Sequence, residues 1–351
     1  MVLMEPQINS LSLETVKIVR HNPYSKMEKI IGIGIAVSAF VLNNNLDVNA
    51  GSPKNYHSTT KVCEVDDGVL TIIDANAQKN AGYVVGLINK YNADFATVQE
   101  SQENDSQEIV DGVANSVGVF APADWSVDPL GGGLGNMTIS RSAKHSDEMR
   151  QFQGDTDWPG LASALWHRDL KKAGDAMKER RAALVTRFNV KIDGVKIPLN
   201  LMGVHVAGDP TGVRQTNEVL NYADQEMNTV NSVNVILGDF NRTPKEIRPS
   251  FERLHMPWVV SDVGVTSRDS ERQIDHAIYQ PFAKVGNKIF RVVVNSQPLP
   301  DLGSDHRAIK STIHLKEVTF EDATKYVNKF KHTPLAPRSI YADIVELTLA
   351  G

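Results

Sequence analysis

A series of short apolar, β-rich runs recurs from residue 69 to residue 315, and several of them carry an acid, an amide or a histidine at or beside an end. The runs are VLTIIDA (69–75), DFATVQE (94–100), NMTIS (136–140), AALVTRFNV (182–190), IPLNLMGVHV (197–206), VNVILGDF (233–240), QIDHAIY (273–279), IFRVVVN (289–295) and AIKSTIHL (308–315). Their length and their content of Val, Ile, Thr and Phe predict strands. Several are apolar on both faces, so each sheet needs cover on both sides. Two intervening stretches predict that cover. Residues 80–92 place Val84, Val85, Leu87, Ile88 and Tyr91 at helical spacing, and residues 212–230 do the same with Val213, Val219, Leu220 and Tyr222. The expectation is one large α/β sandwich over residues 68–316, although 351 residues would allow two domains at about 150 each.

The flanks read differently. Residues 30–42, IIGIGIAVSAFVL, are an apolar run preceded by Lys26 and Lys29 and followed by Val48-Asn49-Ala50. The run is shorter than the ~20 residues of a membrane-spanning helix. A basic start, an apolar middle and a small-residue site predict a secretory signal peptide, with translation starting at Met27 and cleavage after Ala50. The expected location is therefore secreted or periplasmic. Residues 51–67 read as a polar tail. Residues 141–180, polar and charged and including Trp158, read as a surface loop with a helix, in which Trp166, His167, Arg168, Lys171 and Lys172 suit either a solvated amphipathic helix or the mixture of rings and cations found in a nucleic-acid groove. Residues 317–351 read as a helical extension, with Phe320, Ala323, Val327 and Phe330 on one stripe and Pro334 and Pro337 stopping it.

Composition removes several chemistries. The single cysteine, Cys63, excludes an intramolecular disulfide framework and a cysteine-based zinc site. A net charge of −5 excludes a basic coat for nucleic acid, but not a local groove.

The polar residues at the run ends define a narrower chemistry. Asn76, Glu100, Asp239, Asn241 and His205 each close or follow a run; Asp275 and His276 lie within one; Asp305 and His306 precede the last. Side chains at the ends of neighbouring strands can converge on one cleft. Glu100, Asp239, Asp305 and Asn76 are hard oxygen donors, which suits Mg²⁺, with Mn²⁺ or Ca²⁺ as alternates. His306 beside a carboxylate such as Asp275 can act as a general base. Asn241 and His205 can donate to a phosphate oxygen as its charge grows. Together they predict metal-assisted hydrolysis of a phosphate ester. Taken singly each has a structural reading too: GDFN suits a turn, and an isolated Asp–His pair is commonly solvated.

The order of these motifs resembles the endonuclease/exonuclease/phosphatase superfamily, the deoxyribonuclease I-like fold. The matching positions are Asn76, Gln99-Glu100, Gly135-Asn136 through Ser140-Arg141, His205, Gly238-Asp239-Phe240-Asn241, Ile274-Asp275-His276 and Ser304-Asp305-His306. The resemblance spans roughly residues 68–316. It implies a four-layer sandwich of two packed mixed sheets flanked by helices. It further implies Glu100 as the main metal ligand with Asn76 and Asp305 nearby, and Asp239 orienting water or a second metal. His306–Asp275 would be the catalytic pair, His205 the second histidine, and Asn241 and Arg181 contacts to the phosphate. Some positions depart from the pattern. The first run reads DANAQ without an aromatic before the Asn, LMGVH replaces Asn-Thr-His, and the glutamate that partners the second histidine in the deoxyribonuclease I branch has no evident equivalent. The leading expectation is a secreted Mg²⁺-dependent endonuclease acting on DNA, with no stable protein partner. The alternatives are a secreted, sphingomyelinase-like phosphodiesterase or phosphatase on a phospholipid or inositol phosphate, for which the sequence shows no clear aromatic hairpin beyond a contribution from Phe282 to Phe290, and a catalytically dead binding module.

Overall fold

The computed structural model describes residues 54–57, 69–78, 80–122, 134–141, 144–152, 181–208, 211–227, 229–251, 258–300 and 304–329. The signal-peptide segment, residues 153–180 with their tryptophans and cations, and the chain after residue 329 lie outside the described residues.

Two mixed sheets form the centre. The first runs β1 (Lys54–His57), β4 (Val117–Pro122), β5 (Leu134–Ser140), β3 (Phe95–Gln102), β2 (Leu70–Asn76), β14 (Ile309–Val318), β13 (Lys288–Pro298), β12 (Phe282–Val285). The second runs β10 (Val259–Val260), β11 (Asp275–Tyr279), β9 (Val233–Asp239), β8 (Val195–His205), β7 (Arg181–Ile192), β6 (Lys144–Phe152). The pairs β2–β3 and β8–β9 are parallel, and the other neighbours are antiparallel. A parallel pair needs a crossover, which is supplied by helices α1 (Ala81–Lys90) and α3 (Thr211–Glu226). Helices α2 (Ser106–Gly112), α4 (Pro244–Phe251) and α5 (Phe320–Lys329) and a 3-10 turn at Glu103–Asp105 complete the described elements.

Alternation along each strand divides its side chains between two cores. Leu70, Ile72, Phe95, Phe188, Leu201, Val235 and Leu237 fill the space between the sheets. Phe95 and Phe188 meet there with ring centroids 4.7 Å apart. The intervening Ile73, Ala75 and Val98 pack with Val84, Leu87, Ile88 and Ile109 of α1 and α2. On the far side, Met202, Val204 and Ile236 pack with Val219 and Leu220 of α3 and Ile247 of α4. The layers are therefore helix, sheet, sheet, helix, as expected. Burial of each such large side chain is worth about 1.5–3 kcal/mol, which is why strands apolar on both faces are stable only in this sandwich.

Two readings change. Lys54–His57, part of the predicted polar tail, pairs antiparallel with β4 at a sheet edge. Residues 144–152, predicted as surface loop, form edge strand β6 against β7. Both are polar because an edge strand needs only one apolar face, and charge on it discourages pairing with other chains.

Candidate active site

The inter-sheet layer changes from apolar to polar toward one end. Below, Leu70 and Ile72 of β2 face the second sheet; the next residues on that face are Asp74 and Asn76. On β3 the sequence is Phe95, Thr97, Gln99; on β9 it is Val233, Val235, Leu237, Asp239. The polar end coincides with the C-terminal ends of both parallel pairs. Register brings the rest to the same edge. His205 is the partner of Asp239 across β8–β9, and Asp275, at the start of antiparallel β11, is its partner on the other side. Ile309, at the start of β14, pairs with Asp74, which brings the preceding Ser304-Asp305-His306 beside the end of β2.

Backbone features aim these side chains. Glu100 stands at φ 51° where the pairing of β3 with β5 slips between Val98 and Ser101. Such a bulge re-aims a side chain, here one 27% exposed. Gly238 lies at φ +145°, and a Cβ there would stand 2.0 Å from the Val204 carbonyl oxygen. Only glycine lets β9 approach β8 this closely just before Asp239. Asn241, at φ 50°, donates its main-chain N–H to Asp239 Oδ1 at 2.7 Å. Its Nδ2 donates to Asp239 Oδ2 at 3.0 Å and to the Val206 carbonyl at 2.9 Å. Thr243 then starts α4, its N–H and hydroxyl both donating to Glu246 at 2.7 and 2.8 Å, with Pro244 next.

The functional groups form a continuous series. Glu100 Oε1 and Asp239 Oδ2 lie 3.7 and 3.6 Å from His205 Nε2. His306 Nε2 lies 3.8 Å from Asp239 Oδ2 and 3.8 Å from Asp305 Oδ1. His306 Nδ1 donates to both oxygens of Asp275 at 3.0 Å. Gln78 ties the ends of this arc together: its N–H donates to Asn76 Oδ1 at 3.2 Å, and its Oε1 accepts from the Asp305 N–H at 3.4 Å. Glu100, Asp239, Asp275, Asp305, His205, His306 and Asn241 are thus brought together, with Asn76 and Arg181 beside them.

The two histidines are held in opposite states. Burial disfavours the His306 cation, but the hydrogen bond and charge of Asp275, with Asp239 and Asp305, override it and lift the ring to about 10. Burial also disfavours the His205 cation, and here Arg181 and His306 add to it, so the ring stays well below the usual range. Arg181 Nη1 lies 3.2 Å from His205 Nδ1, and a guanidinium can only donate. Nδ1 is therefore the acceptor and Nε2 carries the hydrogen, directed toward Glu100 and Asp239. The partner of the second histidine is an arginine, where the resemblance led one to seek a glutamate. Burial, then the charge of Asp275, raises Asp239 well above the usual carboxylate range.

Other residues support the site: His276 and Ser304 belong to the motifs read from the sequence, whereas Thr266 and Asp74 were not singled out there. Thr266 Oγ1 accepts the N–H groups of Ile274 and Asp275 at 3.0 Å each, and Ser304 Oγ accepts that of His306 at 3.1 Å. His276, fully buried, donates from Nε2 to the Arg242 carbonyl at 2.6 Å and fixes the loop after Asn241. Asp74 is 2% exposed and, chiefly through burial, is raised to about 7. Its signal was a carboxylate two residues before Asn76, on the same face of an otherwise apolar strand.

This architecture is the endonuclease/exonuclease/phosphatase fold, the deoxyribonuclease I-like sandwich. An endonuclease/exonuclease/phosphatase from Bacteroides vulgatus matches at a TM-score of 0.52 with 13% identity, covering 71% of this chain and 100% of that one. The human Nocturnin catalytic domain with bound sulfate matches at 0.50 with 12% identity, covering 76% and 98%. No family model and no curated protein matches the sequence.

Proposed function

We propose that the chain is a Mg²⁺-dependent phosphoric ester hydrolase and that its substrate is a nucleic acid, DNA in the first place. The observation that carries this reading is the series Glu100–His205–Asp239–His306–Asp305, which sets carboxylate oxygens and two histidines of opposite protonation around one cleft.

The donors fit a divalent cation. Glu100 and Asp305 are partly exposed, at 27 and 44%, and with the Asn76 amide and Asp239 they offer hard oxygens, as an ion that keeps several waters requires. Asp239, Asp275 and His306 also offer ligand atoms within 4.8 Å of one another, but the His306–Asp275 contact is a hydrogen bond at 3.0 Å, which serves to hold a ring. When bound, the ion would neutralise charge on the phosphoryl group. His205 presents a neutral N–H donor to a phosphoryl oxygen, and Arg181 fixes its tautomer while adding positive charge behind it. Asn241 fixes both oxygens of Asp239, which orients the attacking water. Asp275 fixes His306, whose Nε2 is the base. His306 can take a proton only once it has lost the one its carboxylate neighbours hold there, so its base role depends on neutralising their charge.

A nucleic acid is favoured over a lipid. Phe282 and Phe290 are 3 and 5% exposed, so they do not form a membrane-seeking hairpin. Among the described residues the exposed large apolar side chains are Val213 and Val265 alone, which is no apolar patch. Export, read from residues 27–50, completes the proposal; the N-terminal sequence of protein recovered from outside the producing cell would start at Gly51.

A substrate panel tests it. Supercoiled plasmid, single-stranded RNA, sphingomyelin and inositol phosphates are each offered with Mg²⁺, and relaxation of the plasmid is expected. Hydrolysis of lipid or inositol ester with intact plasmid would overturn the nucleic-acid reading and keep the ester chemistry. Inactivity on the whole panel would point to a binding module.

A further inference from the structure

Asp74 takes no part in the chemistry above, yet it sits in the interior directly beneath it. We propose that Asp74 is a positioning residue for Glu100: it anchors the strand segment Thr97–Gln99 and so fixes the left-handed turn that directs Glu100 into the cleft.

A carboxylate 2% exposed between two sheets is costly unless its oxygens are hydrogen-bonded. Asp74 Oδ1 accepts from Thr97 Oγ1 at 2.5 Å and from Gln99 Nε2 at 2.8 Å. Both donors lie on the neighbouring parallel strand, where Asp74 is the register partner of Thr97 and Asn76 that of Gln99. Gln99 is fully buried, and its Oε1 has no hydrogen-bond partner among the described residues. Its side chain is thus oriented from the Nε2 side, by Asp74. Its main chain is held as well, since the Gln99 carbonyl accepts the Ala77 N–H at 2.8 Å.

The next residue is the one that needs holding. Glu100 adopts φ 51°, and β3 loses its register with β5 there, so the ladder that would otherwise fix the main chain is interrupted. A non-glycine residue persists in such a conformation only where its surroundings over-determine it. Hydrogen bonds that a buried carboxylate of β2 accepts from residues 97 and 99 supply that determination from the edge of β3 opposite the one where pairing fails. A simple structural role for Asp74 would alter stability; a positioning role alters where Glu100 points.

The inference rests on the reading of Glu100 as a metal ligand, and the experiment separates the two. Full-length Asp74→Ala and Asp74→Asn are compared with wild type by Mn²⁺ affinity, read from the electron paramagnetic resonance of free Mn²⁺, and by amide exchange of the peptide spanning residues 97–102. Asp74→Ala is expected to weaken Mn²⁺ by about tenfold or more, the usual effect of removing a residue that orients a ligand, and to speed exchange of that peptide. Asp74→Asn keeps an acceptor oxygen and should stay near wild type in both. A folded Asp74→Ala with wild-type affinity and exchange would overturn the proposal. Should Asp74→Ala fail to fold, Gln99→Met removes one arm of the anchor; weakened Mn²⁺ binding supports the positioning role and unchanged binding overturns it. Should wild type itself bind no Mn²⁺, the metal reading falls, and exchange of the 97–102 peptide in Asp74→Ala still decides whether the anchor exists.

Discussion

At the scale of single residues, the protonation of the two histidines follows from their neighbours. His306 faces carboxylates and holds its proton up to about 10; His205 is buried against a guanidinium and stays neutral. A ring NMR titration of the metal-free chain should show His306 as imidazolium through neutral pH. Asp275→Asn should lower its pKa, since the largest raising interactions are lost. A raised pKa means that the stability gained by holding this proton is full below the ordinary value of about 6.5 and is lost as pH rises through the folded value. The stability difference between wild type and His306→Gln should therefore shrink from about pH 6.5 upward. Arg181→Met should move His205 in the opposite sense, raising its pKa by removing the charge beside it; an unchanged ring would contradict the tautomer assigned here. The positions of Asn76, Glu100, His205, Asp239, Asp275 and His306 were legible in the sequence because each closes, opens or adjoins an apolar run. The Arg181–His205 contact was not, because no sequence period relates residues on antiparallel strands that meet only through register. Asp74 was hidden for a different reason: its partners lie on β3, and nothing near it in sequence marks it as paired.

At the scale of elements, strand ends and the turns after them set the site. Gly238→Ala would place a Cβ 2.0 Å from the Val204 carbonyl, so β9 must separate from β8 beside Asp239. The strain of such a position is about 1–3 kcal/mol, and differential scanning calorimetry should show a lowered melting temperature together with lost activity. Thr243→Ala removes the hydroxyl from the start of α4 and should cost about 1 kcal/mol with little effect on metal binding. Strands with dense Val, Ile and Phe were read correctly from period and composition. β6, reading KHSDEMRQF, was not, because it lies at a sheet edge, where charge is favoured and mimics a loop. β4 carries Gly118 and Pro122, and the helices α2 and α4 are only 7 and 8 residues long, too short to display a helical period.

At the scale of the whole molecule, the site exists because two sheets present the same edge. The first sheet contributes Asn76, Glu100, Asp305 and His306, and the second contributes His205, Asp239, Asn241 and Asp275. Neither sheet holds both histidines, so the site is a property of their packing. Sequence order alone showed that these groups belong together through the resemblance of the motifs, and the inter-sheet polarity gradient supplies the physical reason. The measurement closest to the central claim is plasmid relaxation by wild type, Glu100→Gln and His306→Ala, each with Mg²⁺ and with EDTA. Relaxation by wild type in Mg²⁺, abolished by EDTA and reduced by about 100-fold or more in both variants, is the predicted result, the size expected when a general base or a metal ligand is removed. Relaxation that persists in EDTA, or in His306→Ala at the wild-type rate, would contradict it.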